Sequence, residues 1–138
     1  MNKLTNTLAA LLALTLSQAA EAADYVIDSK GAHASINFKA SHLGYSWLLG
    51  RFNTFDGTFS YDAKDLTSTK VKVNIDPGSV DSNHAERDKH IRSEDFLDVK
   101  SFPSASFVST KVTDKGNGKI EVKGDFTLHG VTQSIIID

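Results

Sequence analysis

The sequence contains no cysteine. That absence removes disulfide bracing, a thiol nucleophile and a lipobox attachment site together, and an exported domain of this kind must rest on its hydrophobic core alone. No charge of one sign prevails either: 15 basic residues face 17 acidic ones, for a net charge of −2. Without a basic face there is no electrostatic footprint for nucleic acid, and no nucleic-acid partner is expected. The chain lacks the G-x-S-x-G elbow of serine hydrolases, and its glycines form neither G-x-G-x-x-G nor a phosphate-binding P-loop. The serines fall mainly at alternating positions, where a hydroxyl simply faces water. These gaps argue against an enzyme, and no cofactor is expected.

A long uninterrupted apolar run is also missing. The segment LTNTLAALLALTLSQ is broken by Asn6, Thr15, Ser17 and Gln18, and it falls short of the roughly 20 apolar residues that a membrane-spanning helix needs. With Lys3 before it and Ala20-Glu21-Ala22 after it, the segment has the layout of a secretory signal peptide cleaved before Ala23. The mature chain would then run from residue 23 to 138, which is 138 − 22 = 116 residues. That length suits one domain, and an exported chain without disulfides suits the periplasm better than the extracellular medium.

What is present is alternation. Ile36, Phe38 and Ala40 interleave with Asn37 and Lys39, continuing a pattern begun at Ala32 and Ala34. Phe55, Gly57, Phe59 and Tyr61 alternate with Asp56, Thr58 and Ser60. Val71, Val73 and Ile75 repeat the pattern, as do Ile120, Val122, Phe126 and Leu128. Each is a strand with one dry and one wet face. Turn signals separate them at Asp62–Asp65, Asp76-Pro77-Gly78, Asp114–Gly118 and His129-Gly130. Many short strands without a helical repeat predict an all-β, antiparallel sandwich or barrel. No internal repeat, low-complexity tract or linker is visible.

One stretch departs from this pattern. SNHAERDKHIRSEDF, residues 82–96, crowds His84, Glu86, Arg87, Asp88, His90, Glu94 and Asp95 together. Asn83 followed by Glu86 fits a capping box, and the residues after it favour a short helix across 83–93. Pro103 ends the excursion. On such a helix His84 and Asp88 share one face while Glu86 and His90 point nearly the opposite way. Two half-sites on opposite faces do not grip one ion, so no metal is expected unless His42 or His129 supplies a third ligand. Arg87, Asp88 and His84 remain candidates for contact with other segments or with a ligand head group. Ile91 and Phe96 are expected to anchor the stretch by burial.

The apolar signal is strongest in HLGYSWLLGRFNTFDGTF. It gathers Leu43, Tyr45, Trp47, Leu48, Leu49, Phe52, Phe55 and Phe59 within seventeen residues. Phe55 and Phe59 suit an ordinary core. Leu43 to Leu49, flanked by Gly44 and Gly50, suit a cavity mouth or a surface touching lipid.

These residues also carry a resemblance. HLGYSWLLGRFNTFDGTF, NHAERDKHIRSEDFLDVKSFPSASF and GDFTLHGVTQSI resemble, in order and spacing, the signature blocks of the YceI family of bacterial periplasmic proteins, over essentially all of residues 24–137. The resemblance implies a lipocalin-like antiparallel β-barrel that carries a long-chain amphiphile, typically a polyisoprenoid or fatty-acid amide, without transforming it. Some relatives occur beside cytochrome b561-type membrane proteins, which implies isoprenoid quinone handling and such a protein as a partner. Carried onto this sequence, it makes Phe38, Phe55, Phe59, Phe126 and Leu128 candidates for the barrel interior. Leu43, Trp47, Leu49 and Phe52 become candidates for the pocket and its mouth. A filled barrel acting as a stress-response or partner-binding module is the other expectation. Family members continue with further strands beyond the last block. The chain is therefore expected to be a truncated form with an incomplete barrel, its Ile135-Ile136-Ile137 strand unpaired on the far side.

Overall fold

The computed structural model describes residues 23–31 and 33–137, so the proposed signal peptide lies outside the described residues. The strands expected near residues 36–42, 55–61, 70–75, 119–128 and 131–137 form, and strands that the alternation did not signal form at 23–26, 46–52 and 80–81. They are β1 (Ala23–Val26), β2 (Ile36–His42), β3 (Ser46–Phe52), β4 (Phe55–Tyr61), β5 (Lys70–Ile75) and β6 (Val80–Asp81). One helix, α1 (Ala85–Arg92), separates these from β7 (Ala105–Gly116), β8 (Lys119–Leu128) and β9 (Val131–Ile137). Strand β2 begins at Ile36, later than the alternation from Ala32 suggested.

Every pairing is antiparallel. Six strands join in the order β1-β4-β5-β7-β8-β9, and three in the order β2-β3-β6. Among the described residues the sheets do not close into a barrel, and β9 pairs only with β8. No described helix is long and apolar enough to cross a membrane.

The turn residues act as their chemistry dictates. Asp76 Oδ1 accepts the Gly78 N–H at 2.8 Å and opens a single 3-10 turn at Pro77. Between β8 and β9, His129 and Gly130 take positive φ angles of 51° and 71°, which lets the two strands follow each other's twist. The core lies on one face of the larger sheet. Phe107, Val112 and Val122 are buried there, with Val71, Val73, Ile120, Phe126 and Ile135 packed around them.

Helix α1 forms where expected but is capped one residue later. His84, not Asn83, is the N-cap, its Nδ1 accepting the Arg87 N–H at 3.3 Å. Asn83 instead adopts φ 63° and donates its backbone N–H to Asp81 Oδ1 at 2.9 Å. That bond fixes the chain direction before the helix begins, so the Asn83–Glu86 capping box does not form. Imidazole is a weak cap beside a hydroxyl. His84→Ser should therefore raise stability by about 0.5–1 kcal/mol. The readout is the urea midpoint at neutral pH, and an unchanged or lower midpoint would contradict the assignment.

Phe96 also departs from expectation. It is 54 % exposed, and its ring meets that of His90 edge-on, with centroids 4.8 Å apart. After Ser93 the chain doubles back, and Leu97 N–H donates to the Ile91 carbonyl at 3.0 Å while Val99 N–H reaches Arg92 at 3.2 Å. These bonds turn Leu97 and Val99 inward beside Ile91, all three half-buried, and leave the Phe96 ring outside.

Candidate functional site

Register decides which candidate residues share a face. In the larger sheet Tyr25 lies opposite Phe59 and Phe59 opposite Val71, while Val73, Phe107 and Phe126 form one row across three strands. Phe55 pairs with Ile75, and Leu128 with Val131. Because side chains alternate with period two, Phe55, Phe59, Phe126 and Leu128 all belong to the same apolar face. The ring of Tyr25 stacks on that of Phe59, with centroids 4.9 Å apart and planes 13° from parallel. Phe107 lies over Gly124, where any Cβ would strike its ring.

In the smaller sheet Phe38 faces Gly50, and Phe52 lies opposite Ile36 and Val80. Phe38 and Phe52 sit on one face with ring centroids 5.5 Å apart, and Leu48 belongs with them opposite Ala40. Trp47 and Leu49 occupy the other face, opposite Ser41 and Lys39. They are 62 % and 67 % exposed, and Leu43 in the turn is 78 % exposed. The structure therefore divides the nine apolar candidates. Six lie on the dry faces of the two sheets, and Leu43, Trp47 and Leu49 lie apart from them. On that second face Arg51, Asp81, Asn37 and Leu49 help to border a groove of about 340 Å³.

Asp81 organises the polar end of this groove. Its Oδ2 accepts from Arg51 at 3.3 Å and Asn53 at 3.2 Å, and its Oδ1 accepts the Asn83 N–H. The Asn83 N–H above all, then the Asn53 amide, hold its carboxyl below the usual range, with a smaller contribution from Arg51.

The charged candidates have internal partners. Asp88 is buried, and its Oδ1 accepts both the backbone N–H of Ser82, at 2.8 Å, and the Ser82 hydroxyl. Arg87 Nε–H donates to Ser82 Oγ at 2.7 Å, and a second guanidinium N–H donates to the Ser82 carbonyl. Ser82, buried itself, thus ties helix α1 to the end of β6. His84 serves as the cap, and His90 Nε2 pairs with Asp95 at 3.1 Å on the surface. Among the described residues no three His, Asp or Glu side chains converge as a cation site.

Sequence reasoning missed several residues of these faces. Phe107 was legible in the run Ala105, Phe107, Ser109, which alternates like the other strands. Leu48 was legible too, since it shares parity with Phe52. Tyr25 and Ser82 gave no local signal, because their partners are found only after folding.

Comparison with known proteins fits this architecture. Residues 25–138 match the family model of the YceI-like domain. A UPF0312 protein of Vibrio parahaemolyticus is 64 % identical over 127 residues, covering 92 % of this chain and 67 % of the relative. One from Vibrio cholerae is 62 % identical over 125 residues, covering 91 % and 66 % respectively. The chain thus spans about two thirds of the length of these curated relatives. The crystal structure of the Campylobacter jejuni YceI protein superposes with a TM-score of 0.63 at 29 % identity, covering 81 % of this chain and 64 % of that one. BcnA of Burkholderia cenocepacia shares the fold, with a TM-score of 0.69 at 22 % identity over 74 % of this chain and 64 % of its own.

Proposed function

This chain belongs to the YceI-like domain family, and from that premise we propose that it binds a long-chain amphiphile in the periplasm and carries it without chemical change. The ligand class is a polyisoprenoid, an isoprenoid quinone or a fatty-acid amide. The observation that carries the reading is the apolar face of the larger sheet. Half-buried Phe59, Val71, Val73, Ile120, Phe126 and Ile135 extend it around the buried Phe107 cluster. An antiparallel sheet normally dries one face against a packed core. Here large side chains on the dry face keep part of their surface, as a chain-like ligand requires. Sites for such ligands are mostly apolar with few polar groups. On this face Ser109 is already engaged, its hydroxyl accepting the Val71 N–H at 2.8 Å.

The head group would sit near α1. Asp88 is committed to Ser82, whereas Arg87 spends only its Nε–H and one other N–H there. A guanidinium carries five donors, so Arg87 has others to offer an anionic or hydroxyl head group. A cytochrome b561-type membrane protein as the donor or acceptor of the ligand belongs to the same proposal.

Native mass spectrometry of the full chain purified from a bacterial host tests the reading. The expected result is a mass increment of a long-chain lipid, removed by organic extraction. Phe126→Ala should lower its retention by about tenfold, because most of a large apolar contact is lost. A chain that never carries lipid, with hydrogen exchange protecting this face throughout, would favour a filled module that binds partners instead.

A further inference from the structure

We infer that the β2–β3 hairpin is a membrane-docking tip, which seats its apex in the interfacial layer of an anionic phospholipid bilayer. The turn and the adjoining half of β3 are unusually apolar for a surface: Tyr45 is 92 % exposed, Leu43 78 %, Leu49 67 % and Trp47 62 %. Isolated exposed apolar residues are ordinary, but four at one end of a hairpin form a patch that calls for a partner. Its composition fits a bilayer interface, where Trp and Tyr place an apolar ring in the lipid and a polar edge among the head groups.

The turn supplies a second observation. Leu43 holds φ 52° and Gly44 φ 76°, and Tyr45 N–H donates to the His42 carbonyl at 3.1 Å. Such turns favour Asn-Gly or Gly-Gly, because positive φ is unfavourable for a side chain with a Cβ. A leucine is kept there although its side chain packs on little of the fold. Strain at an exposed apolar apex is explained if the side chain is satisfied outside the protein.

Charge selects the occupant. Residues 29–55 contain Lys30, Lys39 and Arg51 and no Asp or Glu. Arg51 is paired with Asp81 at 3.3 Å, so the cation that serves the hairpin tip is Lys39. Lys39 Nζ lies 4.7 Å from the centroid of the Trp47 ring, which puts a cation at the depth where the ring would meet head groups. Anionic leaflets attract such groups. Leu49 and Trp47 lie in the smaller sheet, on its face opposite Phe38 and Phe52, whereas the proposed ligand face belongs to the larger sheet, so either reading can fail without the other.

The chain's single tryptophan is Trp47, so its emission reports this hairpin and ignores adhesion by any other segment. The full chain is titrated with vesicles of phosphatidylethanolamine and phosphatidylglycerol, and separately with phosphatidylcholine vesicles. The expected result is a shift of emission to shorter wavelength on the anionic vesicles, weakened by salt. Quenching by lipids brominated near the head groups should accompany it, a measurement that needs no substitution. Leu43→Ser with Leu49→Ser should weaken partition by about tenfold or more. Lys39→Glu should weaken it by about fivefold or more at low salt. Emission unmoved by anionic vesicles would overturn the inference, as would equal shifts on both vesicle types or an undiminished shift in the double variant. A shift seen only when periplasmic protein is added would overturn it in favour of a protein-docking surface.

Discussion

Asp88→Ala will destabilise the chain by about 2–4 kcal/mol, because a buried acceptor that satisfies two donors is removed without replacement. Asp88 is 6 % exposed. Its Oδ1 takes the Ser82 N–H and the Ser82 hydroxyl proton, and the same hydroxyl accepts from Arg87 Nε. Removing the carboxylate strands a buried backbone N–H and breaks a relay that also positions Arg87. The damage reaches beyond the helix, since Ser82 follows β6, which pairs with β3 through Arg51–Asp81 and Phe52–Val80. Asp88→Asn keeps a carbonyl oxygen in place and should cost far less. The measurement is urea unfolding followed by circular dichroism. Loss of less than about 0.5 kcal/mol in the alanine variant, the range of an ordinary surface substitution, would contradict the argument.

The same carboxylate makes part of the stability depend on pH. The Ser82 hydroxyl bond, chiefly, holds the Asp88 carboxyl below its ordinary value; burial opposes this, the Ser82 N–H reinforces it, and Asp81 and Arg92 act weakly in opposite senses. A carboxyl with a lower pKa folded than unfolded gives its full stabilisation above the unfolded value. That contribution is lost as pH falls toward and through the folded one. Stability of the parent should therefore drop below about pH 4 more steeply than that of Asp88→Asn. Parallel curves would show that the buried bond network is not linked to protonation.

Phe107→Ala should be at least as damaging, at about 3–5 kcal/mol. The ring is 4 % exposed, sits in the row between Val73 and Phe126, and fills the space left open by Gly124. A Cβ at Gly124 would also approach the Val108 carbonyl oxygen at 2.6 Å, so the backbone leaves no easy route to refill the hole. Among the described residues the buried apolar side chains are few: Ile75, Val80, Ala105, Phe107, Val112 and Val122, with Pro77. Domains hold only about 5–15 kcal/mol in total, so the variant should lose most of its cooperative thermal transition. A melting curve close to that of the parent would show that the cluster is not the seat of stability.

The sequence by itself determined most of the strands with their wet and dry sides, several of the turns and the single helix, but not β1, β3 or β6. Period-two alternation of Val, Ile and Phe, and the chemistry of Asp, Pro and Gly, act over a few residues and are legible there. It also carried the family, whose signature blocks are long and ordered. The sequence alone groups Trp47 and Leu49 with Phe52, because alternation does not mark residues 46–52 as a strand; once β3 forms, odd and even positions face opposite ways and separate them. Tertiary structure decided what parity does not reach. That Phe59 stacks on Tyr25 follows from β1 pairing with β4, and that Phe107 joins Val73 follows from β5 meeting β7 across an intervening helix. The cap moved from Asn83 to His84 because Asp81 captured the Asn83 N–H. Asp88 became structural because Ser82 was waiting at the end of β6. In each case two partners distant or differently oriented along the chain had to be brought together first, and their meeting depends on register and side-chain direction, which no local pattern encodes.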